Sequence, residues 1–317
     1  MIPGILCALG AGLLWGLVFV TPLVLNDYPG LMLSIGRYAA FGVLAVGFAW
    51  LDRRTLAKLT RDDWVEAFKL AAIGNLLYYA TLSSAIQLAG APLPTLIIGT
   101  LPVVIAVCAN LIDRRTDPDG GVPWRQLALP LAAMLGGLLL VHADTARQGG
   151  ASGDDGSYLL GITFAICALA CWTWYPIRNS RWLRARGNGL SRTWATAQGL
   201  ATLPLALLAA LGYALWDGLS SSPGAGFDWP FGPRPTLFVG MMFALGLAAS
   251  WLGTLLWNHA SARLPAALAG QLIVFETLSA LLYAFVWHQR WPTLAEAAGI
   301  VVLTIGVLLG VRAFKRD

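Results

Sequence analysis

Charged side chains are scarce in this 317-residue chain. Asp, Glu, Lys and Arg make up 12% of it, roughly half the ~25% of an ordinary soluble domain. That excludes a water-solvated globular fold. Histidine is scarcer still: His142, His259 and His288 all lie near the ends of apolar stretches. The four cysteines (Cys7, Cys108, Cys167, Cys171) lie inside such stretches. Cys167 and Cys171, four apart, share a helical face, but no His or acid is near them in sequence, so they read as packing residues rather than a metal or redox pair. No metal and no cofactor is expected. There is no GxxxxGK[ST] loop for ATP, no HExxH and no GxSxG, so the sequence assembles no catalytic constellation and does not read as an enzyme. A basic n-region is also missing before the first apolar run, which continues past signal-peptide length. It is expected to persist as a membrane span rather than be cleaved.

Ten apolar stretches of about 20 residues dominate instead, near 4–25, 31–51, 65–89, 93–112, 125–142, 157–177, 190–212, 235–258, 266–287 and 294–312. A hydrocarbon core about 30 Å thick needs roughly 20 helical residues to cross it. Barrel strands would alternate polar and apolar residues over about ten positions, and these runs do not. With 57% hydrophobic residues, 14 Trp and a mean hydropathy of +0.68, the chain reads as an all-α membrane protein of ten transmembrane helices. Its pI of 9.2 does not point to nucleic acid, because the basic residues are distributed by membrane side. Seventeen Lys and Arg fall in loops or span ends on one side, including Arg53, Arg54, Arg114, Arg178, Arg192 and Arg263, against Arg147, Arg234 and Arg290 on the other. The positive-inside rule then places both termini in the cytoplasm.

The second five stretches echo the first. At an offset of 157, Trp15 falls on Trp172, Leu33-Ser34 on Leu190-Ser191 and Gly42 on Gly199. At 175, Ala85 meets Ala260 and Ala91 meets Ala266; the long loop 213–234 absorbs the change. Five spans per half is odd, so the halves should be inverted in the membrane, an arrangement that secondary transporters use to build two gates around a midplane site. The expected units are a first five-helix repeat (1–142), an extracytoplasmic linker (143–156) and a second repeat (157–317).

Polar groups inside a membrane are expensive and mark function by default. Glu276 sits about ten residues from either end of its span. It reads as a proton-coupling carboxylate, as a contact for a substrate amine, or as a paired residue holding helices together. Arg37 lies roughly two turns below the outer surface and reads as a snorkelling or carbonyl-paired residue, or as a functional charge. Trp15, Tyr78, Tyr79, Trp172, Trp174, Tyr175 and Trp257, with Asn75, Gln87, Asn258 and Gln271, could line a pocket for an organic solute, with amides fixing its polar end; core packing accounts for some of them. Trp50, Trp64, Trp124, Trp182, Trp287 and Trp291 read as interfacial belts. Pro22, Pro102, Pro130 and Pro204 fall within spans as candidate kinks. Gly12 and Gly16 form a small-xxx-small face beside Trp15.

These residues resemble the drug/metabolite transporter superfamily, specifically its EamA-type ten-helix members, over about 4–312. The carriers are LLWGLVFV in the first span, ALACWTWYPIRN in the sixth, LLWNHASARLPAALAGQL across the eighth and ninth, FETLSALL, and GIVVLTIGVLLGV at the end. The family's Glu-Pro pair in spans 4 and 9 stands here as Leu101-Pro102 and Glu276-Thr277, so a carboxylate role survives only in the second half. Trp172 and Trp257-Asn258 match the aromatic amino acid exporter branch. The resemblance implies export of amino acids or related metabolites across the cytoplasmic (inner) membrane by alternating access. The expected partners are a small-molecule substrate and the lipid bilayer, with no nucleic acid, and Glu276 leaves two options open: protons as a coupling ion, or passive facilitation with Glu276 as a structural member. A nucleotide-sugar or sugar-phosphate carrier is the alternative within transport, and a membrane-embedded enzyme the alternative outside it. Only Arg37 is truly intramembrane, which disfavours phosphate.

Overall fold

The computed structural model describes residues 1–25, 27–89, 92–116, 122–148, 155–187, 189–220, 227–287 and 289–313. Among them there is no strand. The chain runs through α1 (Ile2–Gly16), a 3-10 turn (Leu17–Phe19), the short α2 (Thr21–Val24) and α3 (Gly30–Leu56). Next come α4 (Arg61–Lys69), a π-helical segment (Leu70–Leu77), α5 (Tyr78–Ala89), α6 (Pro92–Gly99), α7 (Leu101–Thr116) and α8 (Trp124–Gln148). The second half contains α9 (Asp155–Arg186), α10 (Ser191–Ser220), α11 (Pro235–Leu245), a second π-helical segment (Gly246–Leu252) and α12 (Gly253–Ser261). It closes with α13 (Ala266–Leu272), α14 (Val274–Trp287) and α15 (Leu294–Ala313).

All ten expected stretches are helical, and eight helical runs are long and apolar enough to cross a membrane. The other two depart for local reasons. The run through α4 and α5 is diluted by Asn75, Tyr78, Tyr79 and Gln87. The fourth stretch breaks at Thr100, directly before Leu101-Pro102, into α6 and α7. A proline ring clashes with the carbonyl four residues back, so the helix restarts there. Pro22 follows the 3-10 turn that ends α1 and occupies the first turn of α2, where its missing N–H costs nothing. Leu207, Leu208, Leu211 and Leu215 of α10 are all more than half exposed, a surface that lipid rather than water must cover. The segment expected to link the halves is helical at both edges: α8 extends to Gln148 and α9 starts at Asp155, while 149–154 lie outside the described residues. His288, Lys315 and Arg316 also lie outside them.

Capping and close packing position the bundle. Thr60 and Asp63 form a reciprocal capping box at the start of α4. Gly12 and Gly16 let α1 lie against the backbone of α14: a Cβ at Gly12 would stand 3.0 Å from the Glu276 nitrogen, and one at Gly16 2.6 Å from Ser279 Cβ. Helix α3 packs on α10, α8 on α15, α13 on α7, α5 on α9, and α1 on both α12 and α14.

One end of the bundle gathers the basic segments. There Arg192 pairs with Asp52, Arg178 with Glu66 and Arg186 with Asp63. Burial raises the proton affinity of Asp63, but hydrogen bonds from Thr60 and Trp182 and the charge of Arg186 outweigh it, so its carboxyl is held below its ordinary range. Trp182, expected as a belt residue, is instead stacked on Trp194 at 3.5 Å and donates to Asp63 at 2.9 Å; its indole N–H has a better acceptor inside than any lipid offers. Trp50 and Trp291 do face outward, 66% and 91% exposed. At the opposite end, Arg234 pairs with Asp27, and the Tyr28 hydroxyl donates to the Phe231 carbonyl at 2.8 Å.

Candidate functional site

Between the two ends, and toward the Asp27–Arg234 end, the helices enclose a cavity of about 270 Å³. Residues from both halves of the chain wall it. Trp15, Phe19, Pro22, Arg37, Tyr38, Asn75, Tyr78, Tyr79 and Ser83 come from the first, and Trp172, Ser250, Thr254, Glu276 and Thr277 from the second.

Local irregularities in the helices aim these side chains. The first π-helical segment ends at Leu77, directly before Tyr78, and Asn75, Tyr78 and Tyr79 at this junction lie on the cavity face. The second carries Ser250. Its hydroxyl accepts a 2.9 Å hydrogen bond from Arg37 Nε. The Arg37 guanidinium lies 5.0 Å from the Tyr38 ring centroid and 5.1 Å from that of Tyr79, so two π-faces stabilise a cation that is only 6% exposed. Glu276 stands in the first turn of α14, after α13 ends at Leu272. It is 7% exposed, and its Oε2 has no hydrogen-bond partner. No ion pair within 4 Å joins it to Arg37.

A chain of rings forms the wall that faces the basic end. Tyr78 stacks on Trp172 at 4.6 Å, Trp172 on Tyr175 at 4.9 Å, and Trp15 meets Trp172 edge-on at 5.4 Å and Trp257 at 5.3 Å. The Trp15 indole is fixed by donating to the Ala249 carbonyl at 2.9 Å. The indole nitrogens of Trp172 and Trp257 have no partner.

The sequence-predicted residues divide into two sets. Trp15, Tyr78, Tyr79, Trp172, Glu276, Arg37 and Pro22 share the cavity wall. Trp174, Trp257, Asn258, Gln271 and Pro102 do not. Trp174 is half-buried against the core, and Trp257 lies behind Trp15. Asn258 is fully buried in an amide network: it accepts from Asn179 at 2.9 Å and donates to the Ser191 carbonyl at 3.1 Å. Asn179 also accepts from Trp194 and Gln198. Gln271 is buried with neither its oxygen nor its nitrogen hydrogen-bonded. Sequence reasoning missed Tyr38, Ser83 and Ser250. The offset of 175 read from the sequence puts Ser250 opposite Asn75, and that was the available signal.

These features define a multi-pass helical membrane protein with a small amphipathic chamber between its helices. The chain belongs to the EamA-like transporter family, whose model matches residues 2–118. It is 46% identical over 313 residues to the inner membrane protein YtfF of Escherichia coli (strain K12), covering 99% of this chain and 96% of that relative. A protein of known crystal structure shares the fold, with a TM-score of 0.73 at 18% identity over 99% of this chain and 98% of its own. The protein is therefore a membrane transporter of small molecules.

Proposed function

We propose that this protein is a secondary transporter that exports amino acids or related small organic metabolites across the inner membrane by alternating access, with proton entry driving solute exit. Both termini face the cytoplasm, and ten spans form two inverted five-helix repeats, 1–142 and 157–317. The observation that carries this reading is a cavity walled by both halves, with seven aromatic side chains, one cation and one carboxylate among its lining residues.

The inverted relation draws support from three features. The π-helical segments occupy corresponding places, with Asn75 and Ser250 separated by the 175-residue offset. The helix breaks at Thr100 and Ile273 fall in corresponding spans. The packing pairs also map onto themselves: α3–α10 and α8–α15 each join counterparts, while α5–α9 exchanges with α12–α1. In this topology the basic end is cytoplasmic. Three ion pairs across the halves and the Trp15–Trp172–Trp257 cluster close that side below the cavity. YtfF is an inner membrane protein, and its likeness to this chain supports the same location.

Size speaks against the nucleotide-sugar alternative. Pockets for drug-sized ligands run from roughly 300 to 1,000 Å³, and this one is about 270 Å³ with Arg37 its one lining cation among the described residues. The test is counterflow: purified protein in liposomes loaded with unlabelled amino acid should accumulate the labelled form from outside. Failure to exchange any amino acid, with exchange of a sugar phosphate instead, would overturn the reading.

A further inference from the structure

We propose that the cavity recognises its solute as a zwitterion, with Arg37 holding the carboxylate, Glu276 the ammonium group, and the surrounding rings an apolar side chain. This rests on the transport reading above and assigns the chemistry of the same site.

Two buried groups of opposite formal charge share one small chamber without satisfying each other. Arg37 commits Nε to Ser250, and no hydrogen bond engages its two terminal nitrogens among the described residues. Those nitrogens form a flat fork, matched to a carboxylate by two parallel hydrogen bonds. Glu276 keeps Oε2 buried and unpartnered, a state that costs free energy until a donor arrives. A solute with only an anion would leave the carboxylate unmatched, and one with only a cation would leave the guanidinium unmatched. A zwitterion completes both. The space between is lined by Trp15, Phe19, Tyr78 and Trp172, which favours an apolar body on the same molecule. The charged pair also occurs only once. The repeat offsets place Trp194 opposite Arg37 and Leu101 opposite Glu276, so the solute has one polar orientation and no second charged subsite.

Three probes share one ring and differ in charge: L-phenylalanine, 2-phenylethylamine without the carboxylate, and 3-phenylpropanoate without the ammonium group. Affinities come from thermal stabilisation of the purified protein and from competition in counterflow. Phenylalanine should bind at least roughly tenfold more tightly than either analogue, since each analogue forgoes one charge-assisted hydrogen-bonded pairing. Glu276→Gln should bring phenylalanine down toward phenylpropanoate while leaving phenylpropanoate unchanged. Arg37→Gln should bring it down toward phenylethylamine; if that variant does not fold, the analogue ranking on the parent protein decides alone. An analogue binding as tightly as phenylalanine overturns the assignment. If none of the three binds while a metabolite lacking either the ammonium or the carboxylate group is exchanged, the transport reading stands and the zwitterion assignment falls. If no solute is exchanged, both fall.

Discussion

At the level of single residues, the proposed mechanism gives Glu276 both recognition and energy supply. A carboxylate that receives either a proton or a substrate ammonium group can hold only one at a time, so each displaces the other. Combined with alternating access, that competition would exchange solute for proton. Glu276→Gln retains shape and hydrogen bonding but cannot titrate. We predict that uphill transport driven by a pH gradient disappears in this variant while solute exchange at saturating substrate persists; concentration against a gradient equal to the parent's would remove Glu276 from the coupling role. The place of Glu276 on the cavity wall was legible in the sequence, because a carboxylate ten residues from either end of a span is expensive to turn toward lipid. Arg37 was harder. A long side chain near a span end is free to snorkel, and only the approach of Tyr38, Tyr79 and Ser250 decides that it turns inward.

Among the helices, close approach and irregular turns do the positioning. Gly12 and Gly16 bring α1 onto α14 at Glu276 and Ser279, and a larger side chain there must push the helices apart. Gly16→Leu should destabilise the protein by about 1–3 kcal/mol, read as a lower melting temperature together with loss of transport. Gly47→Ala, where nothing lies within 4 Å of an added Cβ, should leave both intact. An unchanged Gly16→Leu protein would show that the packing of α1 on α14 does not set the site. The π-helical segments were invisible in the sequence, since neither LAAIGNLL nor GLAASWL carries a local mark of an extra residue in the turn. Deleting Leu76 should restore regular α-helix and change the angular position of Asn75 relative to Tyr78 and Tyr79. Substrate binding should be lost while the helix content stays constant by circular dichroism. Retained binding would show that the segment does not aim the tyrosines.

For the molecule as a whole, the helical state of the apolar stretches, eight of them long and apolar enough to cross a membrane, was readable because hydrocarbon imposes length and apolarity on every crossing segment. Which aromatic residues meet was not readable. Trp15 and Trp172 reach the cavity while Trp257 and Asn258 sit behind it, and that depends on the rotation of α12 against α1 rather than on depth along the span. The amide network of Asn179, Gln198 and Asn258 with Trp194, together with unpartnered Ser261 and Gln271, lies on the closed side of the tryptophan cluster. In the proposed alternating-access cycle these polar groups would line the cytoplasmic vestibule when the outer chamber collapses. Reciprocal opening of the two sides is therefore the central claim of the proposed mechanism. It is tested most directly by single cysteines, Ile86→Cys, whose parent side chain lines the cavity, and Ser261→Cys on the closed side, each in a background without the four native cysteines. Each is labelled with a membrane-impermeant thiol reagent from its own side. We predict that conditions protecting position 86 expose position 261, and the reverse. Reactivity at both positions together, or a position 261 that never reacts while substrate is being transported, would contradict it.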